Sequence, residues 1–240
     1  MLRSHVLQFT LAALVALSFA FAGSSAIAQS ADDYKGDPYT LGVCSVSGEA
    51  LGSMGDPILL NHEGRDIRFC CAGCKPKFEN NPAKALSKID AMMVEAQKEL
   101  YPFDTDVVSG AALGDAPVDV IHYNRLVRFS SQMSAQKFMK DSDKYIAMLD
   151  KAVIAKQLES YPIDKCVISG EALDVMGDPI QLVAANRLIQ FCCTGCVETF
   201  WKSPHTAFQM LDAGKAGEGS DSKKKKDGEH AGHEGHDHDH

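Results

Sequence analysis

Apolar and polar residues follow one another along the chain in a pattern that predicts β-hairpins, each followed by helix. Residues 58–60 and 67–69 are rich in types that favour strands, and the polar stretch 61–64 between them is a turn signal. Across 82–100 the apolar residues recur at helical spacing: Ala85, Leu86, Ile89, Met92, Met93 and Ala96. The pattern predicts a module with a short strand, a turn, a β-hairpin and then helix.

The same module returns later in the chain. Residues 44–74 align with 166–196 without a gap, and 19 of the 31 aligned positions are identical. Both copies carry Ser-Gly-Glu-Ala-Leu after the first Cys, Met-Gly-Asp-Pro-Ile in the middle, and Phe-Cys-Cys-x-Gly-Cys at the end. Helix is again expected at the end of this copy, over 196–211. A repeat of this kind indicates that one small structural unit occurs more than once.

A fainter middle copy lies between the two and has lost its cysteines. Its Tyr-Pro-x-Asp, Ser-Gly and Asn-Arg motifs match those of the third copy. Helix is predicted over 134–158. Asp106 stands in place of the first Cys, and Ser130, Ser131 and Ser134 replace the terminal cluster. The scaffold is kept while the thiols are gone, so we expect a folded module without a thiol site.

One turn position takes the same kind of residue in all three copies. Gly64 of the first copy aligns with Asn124 and Asn186 of the other two. Glycine and asparagine tolerate a positive φ better than other residues. The sequence therefore predicts a left-handed residue in each hairpin turn.

The chain begins with a segment that is typical of a signal peptide. Arg3 precedes the apolar stretch 6–22, and Ala26-Ile27-Ala28 fits a cleavage site before Gln29. An uncleaved anchor is the alternative interpretation, although 17 residues are short for a membrane span. We expect a protein that is periplasmic or secreted, with no membrane span after cleavage.

These observations predict an α+β protein built from three small repeated modules and a disordered C-terminal tail. The expected organisation is a signal peptide at 1–28, a metal-binding module at 34–100, a degenerate module at 101–160, a second metal-binding module at 161–212, and a His-rich tail at 213–240. The net charge of -8 and the lack of a basic stripe interleaved with aromatic residues argue against nucleic-acid binding.

The spacing of the cysteines indicates metal ligands. Each complete copy has an early Cys, 25 intervening residues, and then Cys-Cys-x-x-Cys where a strand meets a helix. Residues three or four apart face the same side of a helical turn, and zinc and Cu(I) both favour sulfur ligands. The candidate ligands are Cys44, Cys70, Cys71, Cys74, Cys166, Cys192, Cys193 and Cys196. The fourth ligand of each ion would be Cys71 or Cys193 or a residue of the tail, or the site would have only three ligands.

Three other interpretations of the thiols stay open at this point. An even number of cysteines in an exported protein often forms disulfides, here Cys71 with Cys74 and Cys44 with Cys70. The Cys-x-x-Cys pairs also fit a thiol-disulfide oxidoreductase, although the module is short for a thioredoxin-like fold. The third interpretation is a metal that acts only as a staple in a module that binds other proteins of the cell envelope.

The cysteine pattern resembles the TRASH and YHS families of treble-clef-like heavy-metal modules. The matching residues are Cys44, Cys70 and Cys74 in one copy, and Cys166, Cys192 and Cys196 in the other, flanked by Phe69, Phe78, Phe191 and Phe200. Many relatives have a second Cys near the first strand, where this chain has Ser47 and Ser169. The resemblance implies metal sensing, trafficking or resistance, with copper prominent.

The C-terminal tail carries a second type of metal ligand. Its histidines are separated by Gly, Asp, Glu and Ala: His230, His233, His236, His238 and His240. Neutral imidazoles at this density bind Cu(II), Ni(II) or Zn(II). The alternative, an expression tag, is usually an unbroken run of histidines. We interpret the tail as a collector of metal ions for the modules.

No catalytic motif is recognisable: the chain lacks a Gly-x-Ser-x-Gly elbow, a phosphate-binding glycine loop and a His-Glu-x-x-His helix. We therefore expect a binding protein and not an enzyme. The sequence favours a metal-binding role with Cu(I) or zinc as cofactor, in sequestration, trafficking or sensing. Its expected partners are metal ions and envelope metal-transport proteins.

Overall fold

The computed structural model describes residues 34–224, with side chains through residue 214. This part of the chain is a mixed α and β structure in which a two-stranded hairpin followed by two helices occurs three times. The first set is β1 Ile58–His62, β2 Arg65–Phe69, α1 Cys74–Asn80 and α2 Pro82–Gln97, with a short 3-10 turn Lys98–Leu100. The second is β3 Val118–His122, β4 Arg125–Phe129, α3 Gln132–Phe138 and α4 Ser142–Gln157. The third is β5 Ile180–Ala184, β6 Arg187–Phe191, α5 Thr194–Lys202 and α6 Pro204–Lys224.

The three hairpins share one register and one turn geometry. In each, the two strands pair antiparallel over five positions and are joined by two residues, as in the pairing of His62 with Arg65. The predicted left-handed residues are confirmed, with φ of 92° at Gly64, 73° at Asn124 and 57° at Asn186. The preceding turn residues also have positive φ, which is the geometry of a type I′ turn.

Each hairpin packs against its own helices around a pair of buried phenylalanines. The last residue of the second strand meets a residue of the next helix, with ring centroids 5.3–5.6 Å apart, in the pairs Phe69–Phe78, Phe129–Phe138 and Phe191–Phe200. All six rings are fully buried. Three separate small cores result, one per module.

An ion pair repeats at the same place in each module. The first residue of the second strand is an arginine that contacts an aspartate of the second helix, at 2.5, 2.8 and 2.7 Å in the pairs Arg65–Asp90, Arg125–Asp150 and Arg187–Asp212. The arginine and the aspartate are 25 positions apart in every copy. The repeat therefore extends through the second helix, beyond the residues that are identical in sequence.

Glutamine side chains join each module to the next. Gln97, at the end of α2, donates to the carbonyl of Asn124 and accepts from the N–H of Leu126, both at 2.9 Å. Gln157, at the end of α4, makes the same two contacts with Asn186 and Leu188. Both glutamines thus satisfy the backbone of the following hairpin.

Asn124 and Asn186 continue this link between neighbouring hairpins. Asn124 Nδ2 donates to the carbonyl of Asp66 at 2.9 Å, and Asn186 Nδ2 donates to that of Leu126 at 2.9 Å. Asp37, near the start of the first module and before β1, receives hydrogen bonds from the Arg125 guanidinium and from the N–H of Ala185 in the third hairpin. The three hairpin turns therefore meet at a buried polar hub, which we define as Asp37, Gln97, Asn124, Arg125 and Asn186.

The first and third modules are also in direct contact. The fully buried Arg68 of β2 donates to the carbonyls of Trp201 and Lys202, at 2.9 and 2.7 Å, while Asp66 balances its charge. These carbonyls belong to the last turn of α5, where they have no partner within the helix. Every module thus touches the other two.

Replacing Gln97 by alanine tests the polar hub. The change leaves a buried carbonyl and a buried N–H of the middle hairpin without their partner, so the free energy of unfolding is expected to fall by about 2 kcal/mol. Chemical denaturation of the Gln97→Ala and Gln157→Ala variants measures this. Gln136→Ala, an exposed change on α3, is the matched control and is expected to have no effect. If the three variants had the same free energy of unfolding, the polar hub would not stabilise the fold as proposed.

Two features of the predicted modules are corrected by the structure. The first short strand is reduced to isolated bridges, such as Val43 with Ala50, because a left-handed glycine (Gly48 in the first copy) reverses the chain at once. The helix expected over 134–158 is two helices separated by 139–141, and that expected over 196–211 is also divided. The other copies mark this break with Pro82 and Pro204, whereas the middle copy has no proline there.

The disordered tail expected over 213–240 is shown only in part. Helix α6 runs from Pro204 to Lys224, past the predicted start of the tail at 213. A helix already formed is extended at little cost, because each added residue gains a hydrogen bond without a new nucleus. The predicted signal peptide and the five tail histidines lie outside the described residues. Among residues 34–224 no helix has the length and apolar character needed to cross a membrane.

Candidate metal centres

Three cysteines of the first module come together at one point from three parts of the fold. Cys44 lies in the tight turn at the start of the module, Cys70 follows the last residue of β2, and Cys74 is the first residue of α1. Their Sγ atoms all lie within 4.8 Å of one another, and all three residues are buried. In the third module Cys166, Cys192 and Cys196 form the same arrangement.

The backbone of the first turn fixes the position of the first cysteine. The N–H of Cys44 donates to the carbonyl of Glu49 at 2.7 Å, and the N–H of Gly48 donates to the carbonyl of Cys44 at 3.0 Å. Gly48 has a φ of 80°, which a residue with a side chain rarely adopts. Gly170 has a φ of 74° in the third module. The Ser-Gly-Glu-Ala-Leu motif thus forms a loop that turns the thiol towards the cluster.

The spacing of the sulfurs fits a shared thiophilic ion. A bond from zinc to thiolate sulfur is about 2.3 Å, so sulfurs on one ion are about 3.8 Å apart in a tetrahedral site and about 4.0 Å apart in a trigonal one. Cys70 and Cys74 Sγ are 3.9 Å apart, and Cys192 and Cys196 Sγ are 3.8 Å apart. The donor set is soft and buried, and its sulfurs lie close enough together to share one metal ion.

In each module a serine hydroxyl contacts the residue that follows the second strand, which is a cysteine in the first and third modules and a serine in the middle one. The sequence analysis did not predict this contact. The contact measures 3.4 Å in all three modules: Ser47 Oγ to Cys70 Sγ, Ser109 Oγ to Ser130 Oγ, and Ser169 Oγ to Cys192 Sγ. The recurrence of this serine three residues after the first ligand position was the available signal. A hydroxyl at this distance orients the sulfur and leaves it free to bind an ion.

Hydrogen bonds favour the ionised form of the first cysteine in each cluster. Burial acts to raise the pKa of Cys44, but the hydroxyl and N–H of Ser47 and neighbouring N–H groups outweigh it and lower the pKa to about 6. Burial likewise opposes the N–H groups of Ser169 and its neighbours at Cys166, whose pKa is again lowered to about 6. Each cluster therefore holds one thiolate at neutral pH.

The helix cysteine of each cluster is a neutral thiol before metal binds. Burial, with added hydrogen bonds to the neighbouring thiols, raises the pKa of Cys74 and of Cys196 to about 12. Binding of a metal ion to these sulfurs must displace their protons. Metal and protons therefore compete for each site.

This competition predicts how metal affinity depends on pH. Between pH 8 and pH 6, affinity is expected to fall as pH is lowered, because protons return to thiols such as Cys74 and Cys196. Below pH about 6 the decline steepens by one further proton per site, since Cys44 and Cys166 then also become protonated. Competition titrations with a chromogenic chelator from pH 5 to 8 measure the slope. A slope that stays constant across this range would contradict the assignment of the two thiolates.

The fourth cysteine of each module lies beside the cluster and not within it. Cys71 Sγ is 3.8 Å from Cys74 Sγ, and Cys193 Sγ is 3.5 Å from Cys196 Sγ. Both residues are half-buried, whereas the three clustered cysteines are buried. All eight cysteines are free thiols in this structure.

A carboxylate occupies the position of the first thiol in the middle module. Asp106 Oδ2 accepts from both the N–H and the hydroxyl of Ser130, each at 2.8 Å, and Oδ1 accepts from the N–H groups of Val108 and Ser109 at 2.8 and 3.1 Å. Burial acts to raise the pKa of Asp106, but these bonds and one from Ser134 hold it well below its usual range. The module thus joins the same three chain segments without a metal.

No family model matches this chain, and neither a curated protein nor a solved structure matches it. Its resemblance to heavy-metal modules therefore depends on the cysteine pattern itself. The two three-cysteine clusters and the internal repeat are what identify the candidate site.

Proposed function

We propose that this chain is an exported protein that binds two soft metal ions, one in each three-cysteine cluster. Cys44, Cys70 and Cys74 hold one ion, and Cys166, Cys192 and Cys196 hold the other. The single observation that supports this most is the convergence of three buried sulfurs at the spacing of a shared ion, found twice in the same fold. In this view the modules are treble-clef-like.

Copper as Cu(I) is the proposed ion, with zinc as the second choice. Structural zinc is almost always held by four ligands, whereas each buried cluster here supplies three sulfurs. Thiolate ligands select Cu(I) and zinc over harder ions. A three-sulfur set leaves one side open, which favours exchange of the ion over permanent storage.

The proposed role is sequestration, trafficking or sensing of the metal outside the cytoplasm. The tail histidines His230, His233, His236, His238 and His240 would collect ions and supply them to the modules. Metal ions and envelope metal-transport proteins are the proposed partners. We propose no enzymatic turnover for this chain.

The alternative proposal is a stapled interaction module of the cell envelope. One observation bears on the choice: the middle module reaches the same fold with Asp106 hydrogen bonds in place of a metal. Hydrogen bonds at this position are therefore sufficient to stabilise the module fold, and the other two modules would not need a metal for that purpose. Retention of thiols there supports a role for the metal beyond folding.

The test is the metal content and free-thiol count of the full chain after purification without oxidant. Imidazole washing removes ions from the tail before analysis. Two ions per chain, with eight free thiols recovered on chelation, are expected. A protein without metal whose cysteines are all oxidised would overturn the proposal and favour the stapled module.

A further inference from the structure

The fourth cysteine of each thiol module has no place in the proposed three-sulfur sites. Cys71 and Cys193 are half-buried and lie 3.8 and 3.5 Å from the helix cysteine of their cluster. That helix cysteine, Cys74 or Cys196, is itself one of the three metal ligands. One sulfur of each site is thus shared between a metal ion and a second possible partner.

The two sulfurs are placed to form a disulfide. They are separated by two residues, the spacing of redox-active Cys-x-x-Cys pairs. A disulfide bond is about 2.05 Å long, so the sulfurs must approach by less than about 2 Å. The N–H of Cys74 already donates to the carbonyl of Cys71 at 3.1 Å, and Cys196 repeats this with Cys193 at 3.2 Å. The turn that connects each pair is therefore closed before oxidation.

The outer side of each pair is open to a reactant. At Gly195 a side chain would meet no atom within 4 Å, and at Gly73 it would meet only Cys71 Sγ, at 4.0 Å. The two residues between the paired cysteines are exposed in both modules, and Cys71 and Cys193 are half-buried, so a reactant in solvent can reach the first sulfur of each pair. The middle module has Ser131 and Ser134 at the matching positions, with oxygens 3.3 Å apart, and has no such chemistry.

We propose that Cys71–Cys74 and Cys193–Cys196 are thiol–disulfide exchange sites that release the bound metal when they react with a disulfide substrate. The proposal rests on the metal-binding function stated above. Cys71 and Cys193 are the attacking groups, and Cys74 and Cys196 are both metal ligands and resolving thiols. The reaction is a single exchange per site, not a turnover.

The exchange proceeds in two steps that balance. Cys71 thiolate attacks one sulfur of a disulfide R–S–S–R, forms a mixed disulfide and expels one thiolate RS⁻. Cys74 thiolate then leaves the metal and attacks Cys71 Sγ, which forms the Cys71–Cys74 disulfide and expels the second RS⁻. Two protein thiolates are oxidised, the substrate is reduced to two thiols after protonation, and the metal keeps its oxidation state. Two sulfur ligands remain for an ion that had three, so its affinity falls.

The experiment uses the full chain loaded with Zn²⁺, washed with imidazole and mixed with oxidised glutathione under nitrogen. A chromogenic chelator reports zinc release, and mass spectrometry after alkylation locates each disulfide. We expect release of both ions together with the Cys71–Cys74 and Cys193–Cys196 disulfides. The double variant C71S/C193S is expected to load two ions and to release them more than tenfold more slowly. The single variants C71S and C193S each lose the fast release of one ion.

Three outcomes would overturn the proposal. One is release from C71S/C193S at the rate of the unchanged protein, and another is a first disulfide between Cys44 and Cys70. The third is loading of fewer than two ions by C71S/C193S, which would make Cys71 and Cys193 fourth ligands. Failure of the unchanged protein to load either Zn²⁺ or, in a parallel experiment, Cu(I) would instead contradict the metal-binding function, and the loading step detects it before any disulfide is added.

Discussion

Replacing Cys44, Cys70 and Cys74 with serine is expected to halve the tightly bound metal, from two ions per chain to one. Serine oxygen is a hard ligand and a poor one for Cu(I), so the first cluster loses its ion. The third module keeps its own set of sulfurs. Replacing all six clustered cysteines is expected to leave only the weaker binding by the tail.

The same variants separate metal binding from folding. The three cysteines belong to the buried core of their module, together with Phe69 and Phe78. Without metal, the serine variant is still expected to keep its circular dichroism spectrum, because serine is close to cysteine in size and the middle module folds with Ser130 and Ser134 at the matching positions. Metal at a thousandfold excess over its dissociation constant stabilises a folded site by about 4 kcal/mol. This shift is expected to be lost for the altered module.

Two results would contradict this prediction. Unfolding of the metal-free serine variant would mean that the thiols are staples. A stoichiometry that stays at two ions would mean that the first cluster is not a site. The matched control is C71S, which alters a neighbouring thiol outside the three-sulfur set and is expected to keep both ions.

Replacing Asp106 with alanine is expected to lower the free energy of unfolding by about 3 kcal/mol, because buried donors that hydrogen-bond a charged group are left without a partner. Asp106 is 1% exposed and accepts bonds from Ser130, Val108 and Ser109. These bonds tie the first turn of the middle module to the end of β4. Chemical denaturation measures the loss.

Acid should weaken the middle module through the same carboxylate. The pKa of Asp106 is depressed in the folded protein, so its contribution is complete above the ordinary aspartate pKa of about 3.9 and is lost as pH falls below that value. The Asp106→Asn variant is expected to lack this part of the acid sensitivity. Denaturation curves from pH 2 to 6 for both proteins test it, and parallel curves would contradict the role of the charge. Asp119→Asn is the control, since Asp119 is partly exposed and pairs with Arg128 on the hairpin surface.

The middle module connects the two modules that carry cysteine clusters. The middle module contributes Asn124 and Arg125 to the hub and contacts both neighbours. The middle module, which lacks cysteines, therefore links two modules whose cysteine clusters could hold a metal ion. In the proposed function, this arrangement keeps the chain folded when metal ions bind and when they are released.

The sequence by itself determined the repeat, the hairpins and the eight cysteines from which the clusters are formed. The type I′ turns follow from local chemistry, because Gly64, Asn124 and Asn186 are residues that accept positive φ. The approach of Cys70 to Cys74, and of Cys192 to Cys196, follows from spacing, because a thiol at a strand end and one four residues later on a helix lie on the same side. Such features depend on neighbours in the chain, and so they can be recognised without the fold.

Only the tertiary structure decided which thiols lie inside a cluster and how the modules meet. Cys70 and Cys71 are adjacent and identical in type, and the direction in which the strand ends places one within the set and the other beside it. Asp37 reaches Arg125 and Ala185 across 88 and 148 positions of chain. No local pattern encodes such contacts, because they depend on how three separately formed modules pack together.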